Sequence, residues 1–180
     1  MKSLANLSRE PAGKALLADD VLEFHAARLL LLIRLCGTAN RIDGLTKMAK
    51  LDFFVRYPQF FEAVSPDVAR PGALKSVESS MVRFHYGPWD KRYYHVLSYL
   101  EAKALITVTQ EGKQLQLRLT GLGQQAADAI SKRESFTTLT QHMKRVKKLL
   151  GGKSGSSLKK LIYEIFRDEV ARKSLDEVIE

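Results

Sequence analysis

The chain has 180 residues and a formal charge of +9, because 29 lysines and arginines stand against 20 aspartates and glutamates. This length is enough for one domain with a sizeable core, or for one domain with a helical appendage. The positive surplus favours anionic partners, with nucleic acid ahead of acidic proteins and membrane surfaces. One cysteine, Cys36, excludes an internal disulfide, and four scattered histidines offer no metal-ligand spacing, so we expect no cofactor.

The N-terminal region gives no sign of a targeting or membrane segment. It lacks the apolar core of a signal peptide, and the apolar run from Leu29 to Leu35 is interrupted by Arg34 and too short to span a bilayer. Cys36 ends this leucine-rich stretch, where it is expected to pack as a small apolar side chain. We therefore expect a cytoplasmic protein of a reducing compartment, without a membrane partner.

Residues 1–18 predict a loosely ordered arm, because their small residues show no period. A domain is then expected over residues 19–135. Its first helix starts after the capping pair Asp19 and Asp20 and ends at Gly37. Apolar residues surround nearly the whole helix, which is typical of a helix central to a core or shared with a partner, and we favour the core.

A second helix is predicted over residues 45–56, after a short extended segment at residues 41–44 that ends in a glycine turn. Its apolar residues form one stripe. The basic side chains of Lys47, Lys50 and Arg56 lie off that stripe, so they are expected on the outer side of the helix.

Shorter elements are predicted between this helix and the centre of the chain. Residues 60–64 predict a helical turn, residues 65–72 a loop inside the domain, and residues 74–81 one more short helix. A strand is expected over residues 82–86. The loop is placed inside the domain because the elements after it still need a core to pack against.

The period changes from helix to strand in the stretch that follows. Gly87-Pro88 predicts a turn and then a helix with proline at its first position. The apolar residues of this helix recur at helical spacing: Trp89, Tyr93, Val96, Leu97, Leu100 and Ala104. Apolar and polar residues then alternate over 106–109 and 114–119, on either side of Glu111-Gly112, which predicts a hairpin. We therefore expect a mainly α fold with a small β-hairpin: a winged helix-turn-helix domain plus C-terminal helices.

The last part of the chain is more basic than the rest. Thr120 is expected to cap a helix over residues 122–132, and residues 136–180 predict a basic helical C-terminal extension. From residue 136 to residue 163 there are seven basic residues and no acidic one. Residues 151–157 predict a flexible joint, followed by a final helix.

Two patterns that resemble nucleotide or catalytic sites fail on their spacing. Gly152-Lys153-Ser154 matches the second half of a phosphate loop, but Lys147 stands where the first glycine is required, and no buried strand is predicted before it. His85 and His95 flank the turn before the central helix, but neither a nucleophile nor a second carboxylate accompanies them. We therefore expect the chain not to be an enzyme.

Basic residues give two candidate DNA-binding surfaces. In a winged helix, the helix before the hairpin can enter the major groove while the wing touches the backbone. The candidates on these elements are Lys91, Arg92, Tyr94, Lys113 and Arg118. Those of the C-terminal part are Lys144, Arg145, Lys147, Lys148, Lys159 and Lys160. Because Glu101 and Glu111 lie among the first set, DNA binding and protein binding stay equally open there, whereas nucleic acid is favoured for the second set.

Two stretches of the sequence resemble one family. They are Asp43-Gly44-Leu45-Thr46-Lys47-Met48-Ala49-Lys50-Leu51-Asp52-Phe53-Phe54-Val55-Arg56-Tyr57-Pro58 and Met81-Val82-Arg83-Phe84-His85-Tyr86-Gly87-Pro88-Trp89-Asp90. Over about residues 20–130 the chain resembles the small middle component of bacterial three-component ABC-ATPase systems, which include Lamassu-type anti-phage systems. The most specific parts of the resemblance are two signatures, Lys50-Leu51-Asp52-Phe53 and Tyr86-Gly87-Pro88-Trp89-Asp90.

The resemblance implies a non-enzymatic winged-helix subunit that bridges an SMC- or Rad50-like ATPase to an effector, often a nuclease, in a complex that senses foreign DNA. Its partners would be the ATPase and effector of the same system, with a non-specific contact to double-stranded DNA. The residues by themselves predict the winged helix, the basic surface and the lack of a catalytic set, but not these partners. The alternative is a free-standing winged-helix transcriptional regulator, and genes for a coiled-coil ATPase and a nuclease next to this one would distinguish the two.

Overall fold

The computed structural model describes residues 21–65, 81–85, 87–112 and 114–179. The fold is mainly helical with a small antiparallel sheet, as predicted. The elements in chain order are α1 (Leu22–Cys36), β1 (Arg41–Asp43), α2 (Leu45–Arg56), α3 (Pro58–Val64), β2 (Val82–Phe84), β3 (Gly87–Trp89), α4 (Tyr93–Ala102), β4 (Ile106–Glu111), β5 (Gln114–Leu119), α5 (Gly121–Ser131), α6 (Thr137–Leu150) and α7 (Gly155–Ile165). The predicted arm, the caps Asp19 and Asp20, and nearly all of the predicted loop and short helix between 65 and 81 lie outside the described residues.

Helix α1 lies at the centre of the core, which confirms the favoured interpretation of its sequence. Its residues 29–33 are almost completely buried, and it packs against α2, α4, α5 and α6. The helix ends where predicted, at Gly37, whose backbone N–H donates to the carbonyl of Ile33. A helix that is apolar on all sides is covered on all sides, because exposing any of them would leave leucine side chains in water.

The hairpin of β4 and β5 is confirmed, and β1 joins it to give a three-stranded antiparallel sheet in the order β1-β5-β4. Leu117 of β5 pairs with Ile42 of β1 on one side and with Val108 of β4 on the other. Leu117 is buried, whereas the next residue, Arg118, is exposed, so the sheet has one covered and one solvated face.

The predicted helix start at Pro88 is wrong. Gly87–Trp89 is a strand paired with Val82–Phe84, and α4 begins only at Tyr93. The residues from 176 to 179 lie along the other edge of β2, where Ile179 donates to the carbonyl of Met81 at 2.8 Å. Pro88 suits a short strand as well as a first helical turn, and pairing with residues far along the chain decides for the strand. Trp89 therefore leaves the stripe of α4.

Helix α2 is buried on nearly all sides, so the prediction that its basic residues lie outside is wrong for two of them. Lys50 and Arg56 are buried, and Lys47 is half-buried. The reason is that α1 and α6 pack on this helix, and so do β3 and α7. The spacing of apolar residues within α2 carries no information about β3, α6 and α7, which come later in the chain and cover its other sides.

The C-terminal helices share the core of the preceding elements. Met143, Val146 and Leu150 of α6, together with Leu158 and Ile162 of α7, are buried in the same cluster as α1 and α2. The predicted boundary at residue 136 stays a prediction, although a continuous core crosses it. Thr120 caps α5 as predicted, because its hydroxyl accepts from the backbone N–H of Gly123 at 2.9 Å.

Candidate functional site

The two signature sequences of the resemblance meet inside the molecule. Lys50 of the first signature donates from Nζ to the carbonyl oxygen of Pro88 in the second, at 2.9 Å. The Lys50 side chain is almost completely buried, and burial together with the nearby charge of Lys159 lowers its pKa to about 7. The contact is therefore a buried link between α2 and β3.

Asp52, the carboxylate of the first signature, ties three helices together. It accepts from Nε of Arg28 on α1 at 2.9 Å and from the hydroxyl of Tyr93 on α4 at 2.7 Å. Burial, followed by the charge of Asp52, raises the pKa of Tyr93 well above its usual value. All three side chains are buried, so these bonds fix how α1, α2 and α4 sit against one another.

Asp90, the carboxylate of the second signature, accepts hydrogen bonds from two arginines. Its Oδ2 accepts from Arg56 and from Arg92, each at 2.7 Å, and Oδ1 accepts from Nε of Arg92 at 2.9 Å. Burial alone would raise the pKa of Asp90, but hydrogen bonds from Arg92 and the two positive charges outweigh burial and hold the pKa well below its usual range. A ring nitrogen of His25 lies 2.9 Å from Nη1 of Arg92 and extends the network to α1.

The second signature also contributes Trp89 to a partly exposed surface that we call the aromatic face, which consists of Phe84, Trp89, Tyr94 and Val178. The rings of Phe84 and Trp89 stack with centroids 5.9 Å apart, and the ring of Tyr94 lies 5.8 Å from Trp89. Val82 pairs with Trp89 in β3 and with Val178 at the C-terminal edge, so these side chains share one side of the small sheet. Tyr94 is 62% exposed and Val178 41%.

The structure separates the predicted DNA candidates around α4 and on the β4–β5 hairpin. Lys91 is exposed and forms an ion pair with Asp176 at 2.8 Å. Arg92 belongs to the buried Asp90 network, whereas Tyr94 lies on the aromatic face. Arg118 is exposed on β5, and Lys113 lies outside the described residues. The four candidates that the structure describes in these regions therefore do not form one basic surface.

The C-terminal candidates also divide into two groups. Arg145 forms a two-pronged pair with Glu62 at 2.7 and 3.0 Å, and Lys147 donates to the carbonyls of Cys36 and Gly37 at the end of α1. These two side chains therefore stabilise the fold. The others lie nearer to solvent: Lys144 and Lys148 are exposed on α6, Lys159 lies 5.6 Å from the ring of Tyr163, and Lys160 lies 3.7 Å from Glu164.

A groove runs between the hairpin and the start of α7, and we call it the α7 groove. Its volume is about 560 Å3. It is lined by Asp43, Gly44, Leu45, Thr46, Gln114, Leu115, Ser154, Gly155, Ser156 and Lys159. The walls come close together, since a Cβ on Gly155 would lie 3.0 Å from the backbone nitrogen of Lys47. The sequence did not predict this groove, because its lining comes from three segments, residues 43–46, 114–115 and 154–159, that are about 40 to 110 residues apart in the chain.

The buried network was also missed, although its signal is present in the sequence. Arg28 interrupts the apolar run of α1, and Asp52 lies among the phenylalanines and leucines of α2. Charged residues within apolar stretches are buried in pairs when the helix is covered on all sides. Gly151–Ser154, which includes the residues that resemble half of a phosphate loop, follows helix α6. His85 and His95 are both exposed.

Within the described ranges, no three or more His, Cys, Asp or Glu side chains are grouped so that they could hold a metal ion. None of the helices in that part of the chain has both the length and the apolar character needed to cross a membrane. Comparison with family models, with curated proteins and with solved structures gives no match for this chain.

Proposed function

We propose that the chain is a non-catalytic winged-helix subunit of a cytoplasmic anti-phage complex, where it docks on an SMC- or Rad50-like ATPase and bridges it to an effector. A contact with the backbone of double-stranded DNA is part of this proposal. The observation that carries it is the position of the two signatures of the resemblance, which meet through Lys50 and Pro88, while Trp89 stays partly exposed.

The order of the elements supports the winged-helix assignment. Helix α1, strand β1, helices α2 and α4, and the hairpin of β4 and β5 follow the winged-helix order, with β1 paired to β5. The segment from α3 to β3 is inserted between the second helix and the third. In this assignment α4 is the helix that would enter a DNA groove in a regulator.

Several features favour protein docking over base recognition at α4. Arg92, at the start of this helix, is engaged by Asp90 and His25, and Glu101 of the same helix accepts from the backbone of Val108 at 3.0 Å. Tyr94 instead joins Trp89 and Phe84 in a partly exposed aromatic cluster. Tyrosine and tryptophan surrounded by charged residues are typical of the energetic centre of a protein interface.

The test is co-expression of the chain with the open reading frames that flank its gene, followed by size-exclusion chromatography. We expect co-elution with a coiled-coil ATPase, and we expect Tyr94→Ala to weaken the complex. Leu122→Ala is the matched control, because Leu122 is 55% exposed on α5 and outside the aromatic face. Flanking genes without an ATPase, or a Tyr94→Ala variant that co-elutes like the wild type, would contradict the proposal.

The transcriptional-regulator alternative makes a different prediction. A regulator should prefer the duplex upstream of its own gene by several kcal/mol over a random duplex. A subunit that touches the phosphate backbone should bind both duplexes equally and with a steep dependence on salt. Salt-titrated fluorescence anisotropy on the two duplexes distinguishes these outcomes, and a strong preference for the upstream duplex would replace the proposal.

A further inference from the structure

We propose that the α7 groove is the site at which this chain binds the phosphate backbone of double-stranded DNA. The inference rests on the proposed function for its setting and deepens it by assigning the DNA contact to one groove. Of the two candidate surfaces predicted from the sequence, it assigns the contact to Lys159 of the C-terminal set and not to α4.

The lining of the groove fits phosphate oxygens. Ser156, Thr46, Gln114 and Lys159 are among the lining residues, and their side chains carry hydroxyl, amide and ammonium groups. Hydroxyl, amide and ammonium donors are those that proteins place against phosphate and sugar, where they fix position without reading sequence. Gln114 belongs to the hairpin, so one wall of the groove is the wing, which in winged helices touches the backbone.

The charged residues of the groove lining are one basic residue, Lys159, and one acidic residue, Asp43. From residue 136 to residue 163 the sequence contains no acidic residue. Asp43 is the acidic member of the lining, and Arg41 forms an ion pair with it at 2.8 Å. An anion in the groove would therefore meet attraction with one partly neutralised carboxylate opposing it.

The exposed lysines of α6 are a weaker candidate for the same role. Lys144 and Lys148 lie on one side of a convex helix and are strongly exposed, so a phosphate there would be contacted from one direction only. They provide the matched control, since they carry the same charge on the same basic part of the chain without lining the groove.

The experiment measures anisotropy of a fluorescent random-sequence duplex with the full chain and with Lys159→Gln over a range of salt concentrations. Loss of one phosphate contact lowers the log–log salt slope by about 0.9 and the affinity at about 0.1 M salt by about eightfold. Lys159→Arg should retain the slope, which separates a lost charge from a damaged fold. Gln114→Ala, on the opposite wall, should weaken binding without changing the slope.

A variant in which Lys144 and Lys148 are both neutralised should lose less affinity for the duplex, relative to the wild type, than Lys159→Gln loses. A Lys159→Gln variant that binds like the wild type, or a control that loses as much affinity, would overturn the assignment. Binding to anionic phosphatidylglycerol vesicles and to poly-glutamate is measured in the same way. Tighter binding to either than to the duplex at equal salt would show that the groove serves a membrane or an acidic protein, and would also overturn it.

Failure of this assignment is distinguishable from failure of the proposed function. Lys159→Gln should still co-elute with the ATPase, and Tyr94→Ala should still bind the duplex. Loss of duplex binding in Tyr94→Ala would contradict the groove, whereas loss of co-elution in that variant supports docking and leaves the DNA result intact.

Discussion

The ammonium group of Lys50 donates to the carbonyl oxygen of Pro88 at 2.9 Å, and this bond joins the two signature sequences inside the molecule. A buried lysine is costly because its charged form is removed from water. Here its position connects α2 to β3, and Trp89 of β3 is partly exposed and stacks on Phe84. The buried contact between the two signatures thus holds in place the strand that carries Trp89 of the aromatic face. We propose that the chain docks through this face.

The pH dependence of stability should report on Lys50. Its pKa is about 7 in the folded chain and 10.5 in the reference state, so between these values the unfolded chain holds a proton that the folded chain has lost. The free energy of unfolding should therefore rise with pH in this window, by at most about 1.4 kcal/mol per pH unit from this group. Urea denaturation at pH 7.5 and 9 should show this rise in the wild type and lose it in Lys50→Met. Parallel pH profiles for the two proteins would count against a neutralised Lys50.

The buried and exposed ion pairs of α1 should differ strongly in their contribution to stability. Asp52→Asn leaves the buried charge of Arg28 without its carboxylate and should cost about 3–5 kcal/mol of unfolding free energy. Asp128→Asn removes a similar partner from Arg34 on the same helix, but this pair is partly exposed and should cost less than about 1 kcal/mol. Urea denaturation of both variants measures the difference, and equal losses would refute the structural role of the Asp52 network.

Adjacent lysines of α6 should behave differently when their charge is removed. Lys147 donates to the carbonyls of Cys36 and Gly37 at the C-terminal end of α1, whereas Lys148 is exposed. Lys147→Met should cost about 1 kcal/mol through lost hydrogen bonds to the helix end, and Lys148→Met should be nearly neutral. Thermal melting compares them, and a stable Lys147→Met variant would contradict the capping role. A charge reversal that includes Arg145 and Lys147 should for the same reason destabilise the fold.

Shortening one buried side chain of α4 tests how this helix packs against the core. Leu97 is 5% exposed, so Leu97→Ala should cost about 2–5 kcal/mol. Leu122→Ala, at an exposed site of α5, should stay within about 0.5 kcal/mol of the wild type. Chemical denaturation gives both values. A small loss at Leu97 would mean that α4 does not pack against the core as described.

Elements with strong local signals were predictable from the sequence. The bounds of α2, the end of α1 at Gly37, the β4–β5 hairpin and the Thr120 cap all match, because helical period, proline, glycine and alternation act within a few residues. The start of α4 was wrong, because Pro88 is compatible with a strand when β2 lies beside it. That pairing also involves residues near position 178, which no local pattern reveals.

The sequence identified the basic residues of the candidate site, but it did not reveal what their side chains contact. Arg92, Arg145 and Lys147 were correctly singled out as basic, yet each contacts a residue 67 to 110 positions away. Such contacts depend on how the helices pack. The sequence alone therefore does not reveal which basic side chains form contacts within the fold. The signatures around Asp52 and Asp90 came from the resemblance and not from the spacing of residues, and their role in function stays a prediction.

The most direct measurement uses Trp89, the single tryptophan of the chain. Labelling with 5-fluorotryptophan gives one 19F resonance from the aromatic face, and the unlabelled ATPase encoded by the flanking gene is then added. If the chain docks through this face, the resonance should shift or broaden as the complex forms, and Tyr94→Ala should require more ATPase for the same change. A complex that forms by size-exclusion chromatography while the Trp89 resonance stays unchanged would contradict the account.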